Sequence, residues 1–561
     1  MMSTEVALQQ AEQLLGQYAK DTAKPEPNRL DVTIEGSDLT AAATTLHKAR
    51  WGYLSALTGV DLGPEGEAIE ALYHFCEGAA ITTFRVRLPR SGGAVESLHT
   101  LYPNAMFYER ELLEMFGVTV TGLADTSHLF LPDGWPDGVY PLLKDVDAQA
   151  AAERASASEP PEMGRQGDKF IVPIGPQHPA LKEPGHFEFG VDGELVTSAK
   201  VRLGYVHRGI ERAAQERNYV QNLYLVERVC GICSHSHANA YALAVEKLAG
   251  VQVTPRAQAI REMVACLERI HSHLLWLGVA AHEAGFETLF MFSWRDREVI
   301  MDLLERLTGN RVNYSANVLG GVKFDVSPEI AADIRKGLDT IDERTRHYLH
   351  VTMDDTSFLQ RSRGIGTMSQ AEADGLGVVG PVARASGIRR DIRTDAPYGG
   401  YAQFPVKIVV DAAGDLAARF KVRMEEIFES SRVIRAILDG LPEGELTVKM
   451  PRRIPAGEAI SRFEAPRGEL LYYVKSNGTD MPERVKIRTP SICNWISVIV
   501  KAVGSQLADV PPLLAGIDPC FSCNDRMITI NRPGRGRQIL TWEDLRRRAA
   551  SHTRRGTLCV R

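Results

Sequence analysis

Two Cys-x-x-Cys motifs, half the chain apart, constrain this fold more than any other feature. The first is Cys230-Gly231-Ile232-Cys233, preceded by Arg228-Val229 and followed by His237. The second is Cys520-Phe521-Ser522-Cys523, preceded by Asp518-Pro519 and followed by Asn524-Asp525-Arg526. A Cys-x-x-Cys at a helix start puts two sulfurs on one turn, spaced to grip one or two metals. Thiolates are soft ligands that suit zinc, iron–sulfur clusters or nickel. Taken together, the motifs read as one four-sulfur site that folding closes. The middle of the chain must then meet its C-terminal part.

The chain has 561 residues, more than one ordinary domain. It is 44% hydrophobic and 24% charged, so a sizeable core needs no staples. A net charge of −6 does not favour nucleic acid as a partner. Eight cysteines in a chain of this length are not a secreted disulfide framework. Cys76, Cys266 and Cys493 read as small core residues. The N-terminus lacks the basic-then-apolar pattern of a signal peptide. No apolar run approaches the roughly 20 residues that cross a bilayer. The best candidate, residues 495–503, is short and carries Lys501. The expectation is a cytoplasmic protein without a membrane span of its own, peripheral on the membrane through partner subunits.

Residues 1–145 read as a small α/β domain. Val6, Leu8, Ala11, Leu14, Leu15 and Tyr18 fall near helical spacing, residues 80–88 form the clearest strand, and residues 107–116 form a short helix stopped by Gly117. Residues 146–167 are rich in Ala, Ser, Glu and Pro and read as a linker. From 168 to 526 the pattern is mainly helical with a small β unit over 173–200. Helices are expected over 201–227, 234–248, 261–282, 297–307 and 416–441. No Walker loop or dinucleotide fingerprint stands at a strand–helix junction.

The flanks make the cysteine pairs specific. Arg228-x-Cys-Gly-Ile-Cys-x-x-x-His237 and Asp518-Pro-Cys-x-x-Cys-x-x-Arg526 resemble the two cysteine signatures of nickel–iron hydrogenase large subunits. Residues 175–187, from Gly175-Pro176-Gln177-His178-Pro179 to Glu183-Pro184-Gly185-His186-Phe187, resemble the N-terminal motif of the complex I-related (group 4) branch. Pro466-Arg467-Gly468 resembles that family's Pro-Arg-Gly motif. The N-terminal part is similar to the 30 kDa-type subunit of complex I, on Glu109-Arg110-Glu111, Phe116-Gly117 and residues 141–145. The whole resembles a fused large subunit of formate hydrogenlyase type. It departs from the 49 kDa subunit of complex I, which lacks the four cysteines.

The resemblance implies an α+β N-terminal domain followed by a mainly α-helical hydrogenase domain. It implies a nickel–iron centre, Ni2+ with Fe(CN)2CO, held by Cys230, Cys233, Cys520 and Cys523, with Cys233 and Cys523 bridging. It nominates the Cys520 thiolate as first proton acceptor and Glu183 as the next relay. Arg467 would direct a cation at the centre, and His237 and Asp518 would orient the ligands. Once four cysteines are committed, the rest are too scattered for an iron–sulfur cluster in this chain. Electrons would leave through an iron–sulfur small subunit, among other complex I-like hydrophilic and membrane subunits. The activity implied is H2 ⇌ 2H+ + 2e−, in the H2-evolving direction.

Plainer readings stand beside these. Each cysteine pair alone suits structural zinc or a redox pair, and a zinc-stapled scaffold is one alternative. Another is a non-catalytic complex I-type subunit of an NADH–quinone oxidoreductase that helps form a quinone pocket. Residues 204–209 fit that relative equally well; the cysteines do not. Glu183 alone reads as a loop carboxylate, Arg467 as a surface ion-pair residue, and His237 as a helix-face histidine. Glu109-Arg110-Glu111 alone reads as a solvated helix face.

Residues 527–561 carry nine arginines and two acids. A run of this kind is usually a solvated tail. The family resemblance implies an extension that an endopeptidase removes after Arg526, once a maturation chaperone has helped load the metals. Metal binding and final folding would then be coupled.

Overall fold

Ser3 accepts a hydrogen bond from the Val6 N–H and starts α1 (Thr4–Leu15) near where the apolar spacing predicts a helix. The computed structural model describes residues 2–132, 134–147 and 170–523. Most of the expected linker, Arg526 and the basic extension lie outside the described residues.

The N-terminal region is built on five strands: β1 (Asp21–Glu26), β2 (Arg29–Ile34), β3 (Tyr53–Asp61), β4 (Ala68–Glu77) and β5 (Ala80–Pro89). They lie in the order β1-β2-β5-β4-β3, antiparallel except for the parallel pair β2/β5. Helices α1, α2 (Leu39–Lys48) and α3 (Ala105–Phe116) pack around the sheet. Gly117 ends α3 at φ +77, a left-handed conformation that glycine adopts without strain.

A second sheet, β6 (Phe170–Ile174), β7 (His186–Asp192) and β8 (Leu195–Arg202), is the small β unit expected over 173–200. The helix expected over 201–227 is not continuous. Residues 203–209 form a loop with Gly204 at φ +100 and Gly209 at φ +58, and two short helices follow, α4 (Ile210–Gln215) and α5 (Tyr219–Glu227). Asn218 breaks them apart by capping α5 in a reciprocal box with Gln221.

The helical layer comprises α6 (Ser234–Ala249), α7 (Pro255–Glu283), α8 (Glu287–Thr308), α9 (Pro328–Asp354) and α10 (Leu416–Asp439). Thr254 and Ser327 cap α7 and α9, each with proline at the first helical position. α9 lay outside the sequence expectations, although Ile334, Leu338, Ile341 and Tyr348 line its buried face.

Also unexpected is a third sheet, β9 (Gly457–Ala465), β10 (Gly468–Ser476) and β11 (Pro482–Arg488), followed by α11 (Pro490–Ala502) and α12 (Val510–Gly516). This sheet lies between the N-terminal region and α6, and it is buried on both faces. Glu469 on β10 accepts from Tyr53 at 2.5 Å and Ser55 at 2.6 Å, both on β3, and pairs with Arg462 at 2.7 Å and with Arg488. Burial raises the Glu469 carboxyl, but the two guanidiniums outweigh it and hold the group well below the carboxylate range. Arg85 on β5 reaches Glu458 on β9 at 2.9 Å. One apolar cluster runs from Ala7 and Phe84 through Phe187 to Trp495 and Phe521, tying the N-terminal region to the C-terminal motif.

Candidate metal centre

α5 ends at Glu227, and the turn that follows carries Cys230 and delivers Cys233 as the residue before α6. Glu268, fully buried on α7, fixes the start of α6. Its carboxyl accepts from the N–H of His235 at 2.7 Å, the N–H of Ser236 at 3.0 Å and the Ser236 hydroxyl. Burial pushes the Glu268 pKa up to about 8.

Within the described residues the second pair follows α12 in an irregular turn, and five anchors place it. Trp276 Nε1 on α7 donates to the Ala515 carbonyl at 2.7 Å. Ser491 Oγ accepts from the Cys520 N–H at 3.2 Å. Arg467, in the β9–β10 turn, donates through Nε to the Asp518 carbonyl at 2.8 Å and through Nη2 to its carboxylate at 3.0 Å. Phe521 inserts its ring between Phe187 and Trp495. Gly185 makes room for that ring, since a Cβ there would stand 2.0 Å from it. Arg208 donates to the carbonyls of Arg228 and Val229 at 2.5 Å and of Ser522 at 2.7 Å, bridging the backbones of both motifs.

The four cysteines come together. Cys520 Sγ lies 3.3 Å from Cys230 Sγ and 3.0 Å from Cys523 Sγ. Cys230, Cys520 and Cys523 form one candidate ligand triad and Cys233, His237 and Cys523 another, each within 4.8 Å. Cys230, Cys233 and Cys520 are buried. Neighbouring thiols donating to Cys230 hold it well below the thiol range. Cys233, Cys520 and Cys523 are driven up, first by that same sulfur contact and then by burial. Four sulfurs at this spacing cannot all ionise without a cation among them.

His237 lies 3.6 Å from Cys523 Sγ through Nε2 and 2.8 Å from the Tyr472 hydroxyl through Nδ1. Burial lowers its pKa to about 4, so the ring is neutral. Glu183 accepts the Ser522 N–H at 2.7 Å and its hydroxyl, which places the carboxylate against the turn between Cys520 and Cys523. Asp518 is fully buried with φ +53, and Lys182 Nζ lies 2.9 Å from its carboxylate. Burial opposes the Asp518 charge, yet Arg467, Lys182 and Arg423 hold its pKa at about 2.

Three cations, Lys182, Arg423 and Arg467, thus share one carboxylate. Arg423 is buried, stacked 3.9 Å over Trp276, and its Nε and Nη2 have no hydrogen-bond partner among the described residues. Burial presses its pKa down to about 9, as expected of a cation short of counter-charge. Arg467 Nη1 also lacks a partner among the described residues. Positive charge beside a four-thiolate cluster fits a metal centre whose ligands leave it net negative.

The sequence reading missed several groups here. Lys182 was legible only as the neighbour of Glu183. Arg208 fell within the helix expected over 201–227, Glu268 looked like an ordinary member of a helix, and Tyr472 lies on the third sheet, which was not expected. His271 and His273 on α7 bond to the Tyr314 hydroxyl at 2.9 Å and to Glu426 at 2.9 Å. Glu109 and Arg110 are buried and not a solvated face.

Comparison with known proteins converges on the same family. Residues 32–152 match the model for the respiratory-chain NADH dehydrogenase 30 Kd subunit. Residues 283–454 and 447–526 match that for the 49 Kd subunit, and residues 208–278 match that for nickel-dependent hydrogenase. Formate hydrogenlyase subunit 5 of Escherichia coli is 35% identical over 94% of both chains. The carbon monoxide-induced hydrogenase of Rhodospirillum rubrum is 40% identical over 64% of this chain and 99% of its own. The C/D-type NADH-quinone oxidoreductase protein of Phocaeicola vulgatus is 33% identical over 83% of this chain and 93% of its own. A chain of the membrane-bound sulfane sulfur reductase, an archaeal respiratory membrane complex, superposes with a TM-score of 0.61 at 32% identity, covering 64% of this chain and 99% of that one. The chain belongs to the complex I-related nickel–iron hydrogenase large-subunit family, in its form with fused 30 kDa-type and 49 kDa-type regions.

Proposed function

We propose that this chain is the catalytic large subunit of a nickel–iron hydrogenase that interconverts H2 with two protons and two electrons. The observation that carries this reading is the buried four-cysteine cluster beside excess positive charge. Cys230, Cys233, Cys520 and Cys523 would hold the nickel–iron centre. When bound, that centre supplies a soft, open-sided metal pair on which H2 is split or formed. A zinc ion closed in by four thiolates has no free position for such chemistry.

The chain's own groups then move protons. Cys520 takes the first proton at Sγ, and Glu183 receives it at a carboxylate oxygen, within reach through the Ser522 turn. Arg467 keeps a guanidinium edge beside the centre and fixes Asp518. His237, held by Tyr472, steadies Cys523.

The setting is a multisubunit membrane-associated complex of formate hydrogenlyase type, reached through partner subunits, since no described helix is long and apolar enough to cross a membrane. Cys76, Cys266 and Cys493 sit apart in the core, so electrons leave through an iron–sulfur small subunit. The basic extension after Arg526 is removed by an endopeptidase when the metals are in place, and intact-mass measurement of the active complex tests this. Relatives named NADH-quinone oxidoreductase support a second reading, a quinone-pocket subunit without metal. Nickel and iron quantification with an H2-linked dye assay on the purified complex decides. A complex with its full set of subunits but no nickel would defeat the hydrogenase reading.

A further inference from the structure

Ser522 faces two ways. It donates twice to Glu183, and it also lines a cavity of about 70 Å3. Cys523, Glu111, Glu211 and Lys486 line the same cavity. At roughly 10–15 Å3 for each water, it accommodates a short chain of water molecules among polar partners.

Glu111 belongs to α3 of the N-terminal region, Glu211 to α4, and Lys486 to β11. Lys486 Nζ bonds Glu111 Oε1 and lies 3.5 Å from Glu211 Oε1. Glu211 also accepts Arg484 at 2.7 Å and the Ile487 N–H at 3.0 Å. Both glutamate side chains keep 16% of their surface exposed, while Lys486 keeps 4%. Two acids therefore share one buried lysine where the cavity approaches solvent. Their environments differ. Burial raises the Glu111 carboxyl; burial also opposes the Glu211 charge, but Lys486 and Arg484 draw that group down. The two carboxyls on one lysine are therefore unequal as proton acceptors, Glu111 the readier of the two.

Resting on the hydrogenase reading, we propose that this cavity is the proton exit of the cysteine centre: Glu183 passes a proton through the Ser522 hydroxyl to cavity water, and Glu111 and Glu211 hand it to solvent. Only O–H bonds change. Ser522 Oγ accepts one proton and releases its own without ionising, no electron moves, and the same hops run inward when H2 is formed. The N-terminal region thus supplies a relay group, in addition to docking against the third sheet.

The test uses the purified complex carrying Glu111→Gln or Glu211→Gln. Turnover per bound nickel is expected to fall about 100-fold. The solvent deuterium isotope effect should rise, and nickel per chain should match the parent. In infrared difference spectra, a carboxylic-acid band of the parent should vanish in Glu111→Gln. If the three groups are only an interdomain staple, these variants melt earlier while turnover per nickel and the isotope effect stay at parent values; that result overturns the proposal. If a glutamine variant loses nickel, Ile210→Trp narrows the cavity while leaving both carboxyls in the chain. The same fall supports the route, and unchanged turnover ends it. A parent without nickel or H2 turnover defeats the hydrogenase reading and the route with it; an active parent with unaffected variants defeats the route alone.

Discussion

Arg467 grips Asp518 by both its backbone and its side chain, at 2.8 Å to the carbonyl and 3.0 Å to the carboxylate. A lysine keeps the charge but not the fork that makes two such bonds at once. Arg467→Lys should retain nickel and lose H2 turnover by about 100-fold. Dye reduction normalised to metal content checks it, and full activity would remove Arg467 from the centre.

Arg208 stitches the carbonyls of the two motifs together from a partly solvated position. Arg208→Ala should cost about 1 kcal/mol of stability, because solvent screening discounts each charge-assisted bond. The larger effect is expected on nickel occupancy, measured by elemental analysis after expression with the maturation machinery. Parent-level occupancy would mean the turn holds its shape unaided.

Tyr472 fixes which nitrogen of His237 faces Cys523. Removing such an outer partner typically weakens metal retention by about 10–100-fold. Tyr472→Phe is expected to release nickel faster to a chelator, with the protein still folded by circular dichroism. A release rate equal to the parent's would argue against this role.

Glu262 on α7 is buried, its carboxylate oxygens have no side-chain hydrogen-bond partner among the described residues, and burial pushes its pKa up to about 9. In the unfolded chain it ionises near the ordinary carboxylate value, about 4.3. Between those two values the unfolded state gives up its proton first, so this residue reduces stability progressively as pH rises. Glu262→Gln should therefore gain on the parent between pH 5 and pH 8, read as a difference in melting temperature that widens with pH. A constant difference would contradict the assignment.

Cys523→Ser separates the two functional readings. A quinone-pocket subunit should keep its folding and assembly unchanged. The hydrogenase should lose nickel and H2 activity together, since serine is a poor substitute for a thiolate toward soft metals.

The cysteine pairs, with their flanks, made the convergence of the four sulfurs legible in sequence because the residue types and spacing are themselves the signal. The long helices showed for the same reason: the apolar faces of α7 and α10 recur at helical spacing. The third sheet did not show. Arg462, Glu464 and Glu469 sit on strands buried on both sides: Arg462 and Glu469 pair with each other across the β9–β10 turn, Glu469 also takes the hydroxyls of Tyr53 and Ser55 on β3, and Glu464 pairs with the distant Arg384. Charged residues at buried positions erase the period-two alternation that marks a strand. The apolar stripe of α9 was present, but many surface charges surround it. Arg208 was invisible because its partners are backbone carbonyls, which carry no sequence identity.

Phe521 gives the last step of folding its character. The ribosome delivers Cys230 and Cys233 long before the stretch that completes their set. When that stretch arrives, its aromatic ring drops into a slot that Gly185 leaves clear. Burying a ring of this size contributes about 1.5–3 kcal/mol. That is enough to favour closure and too little to make it permanent. The ring is a latch on the turn that carries Cys520 and Cys523.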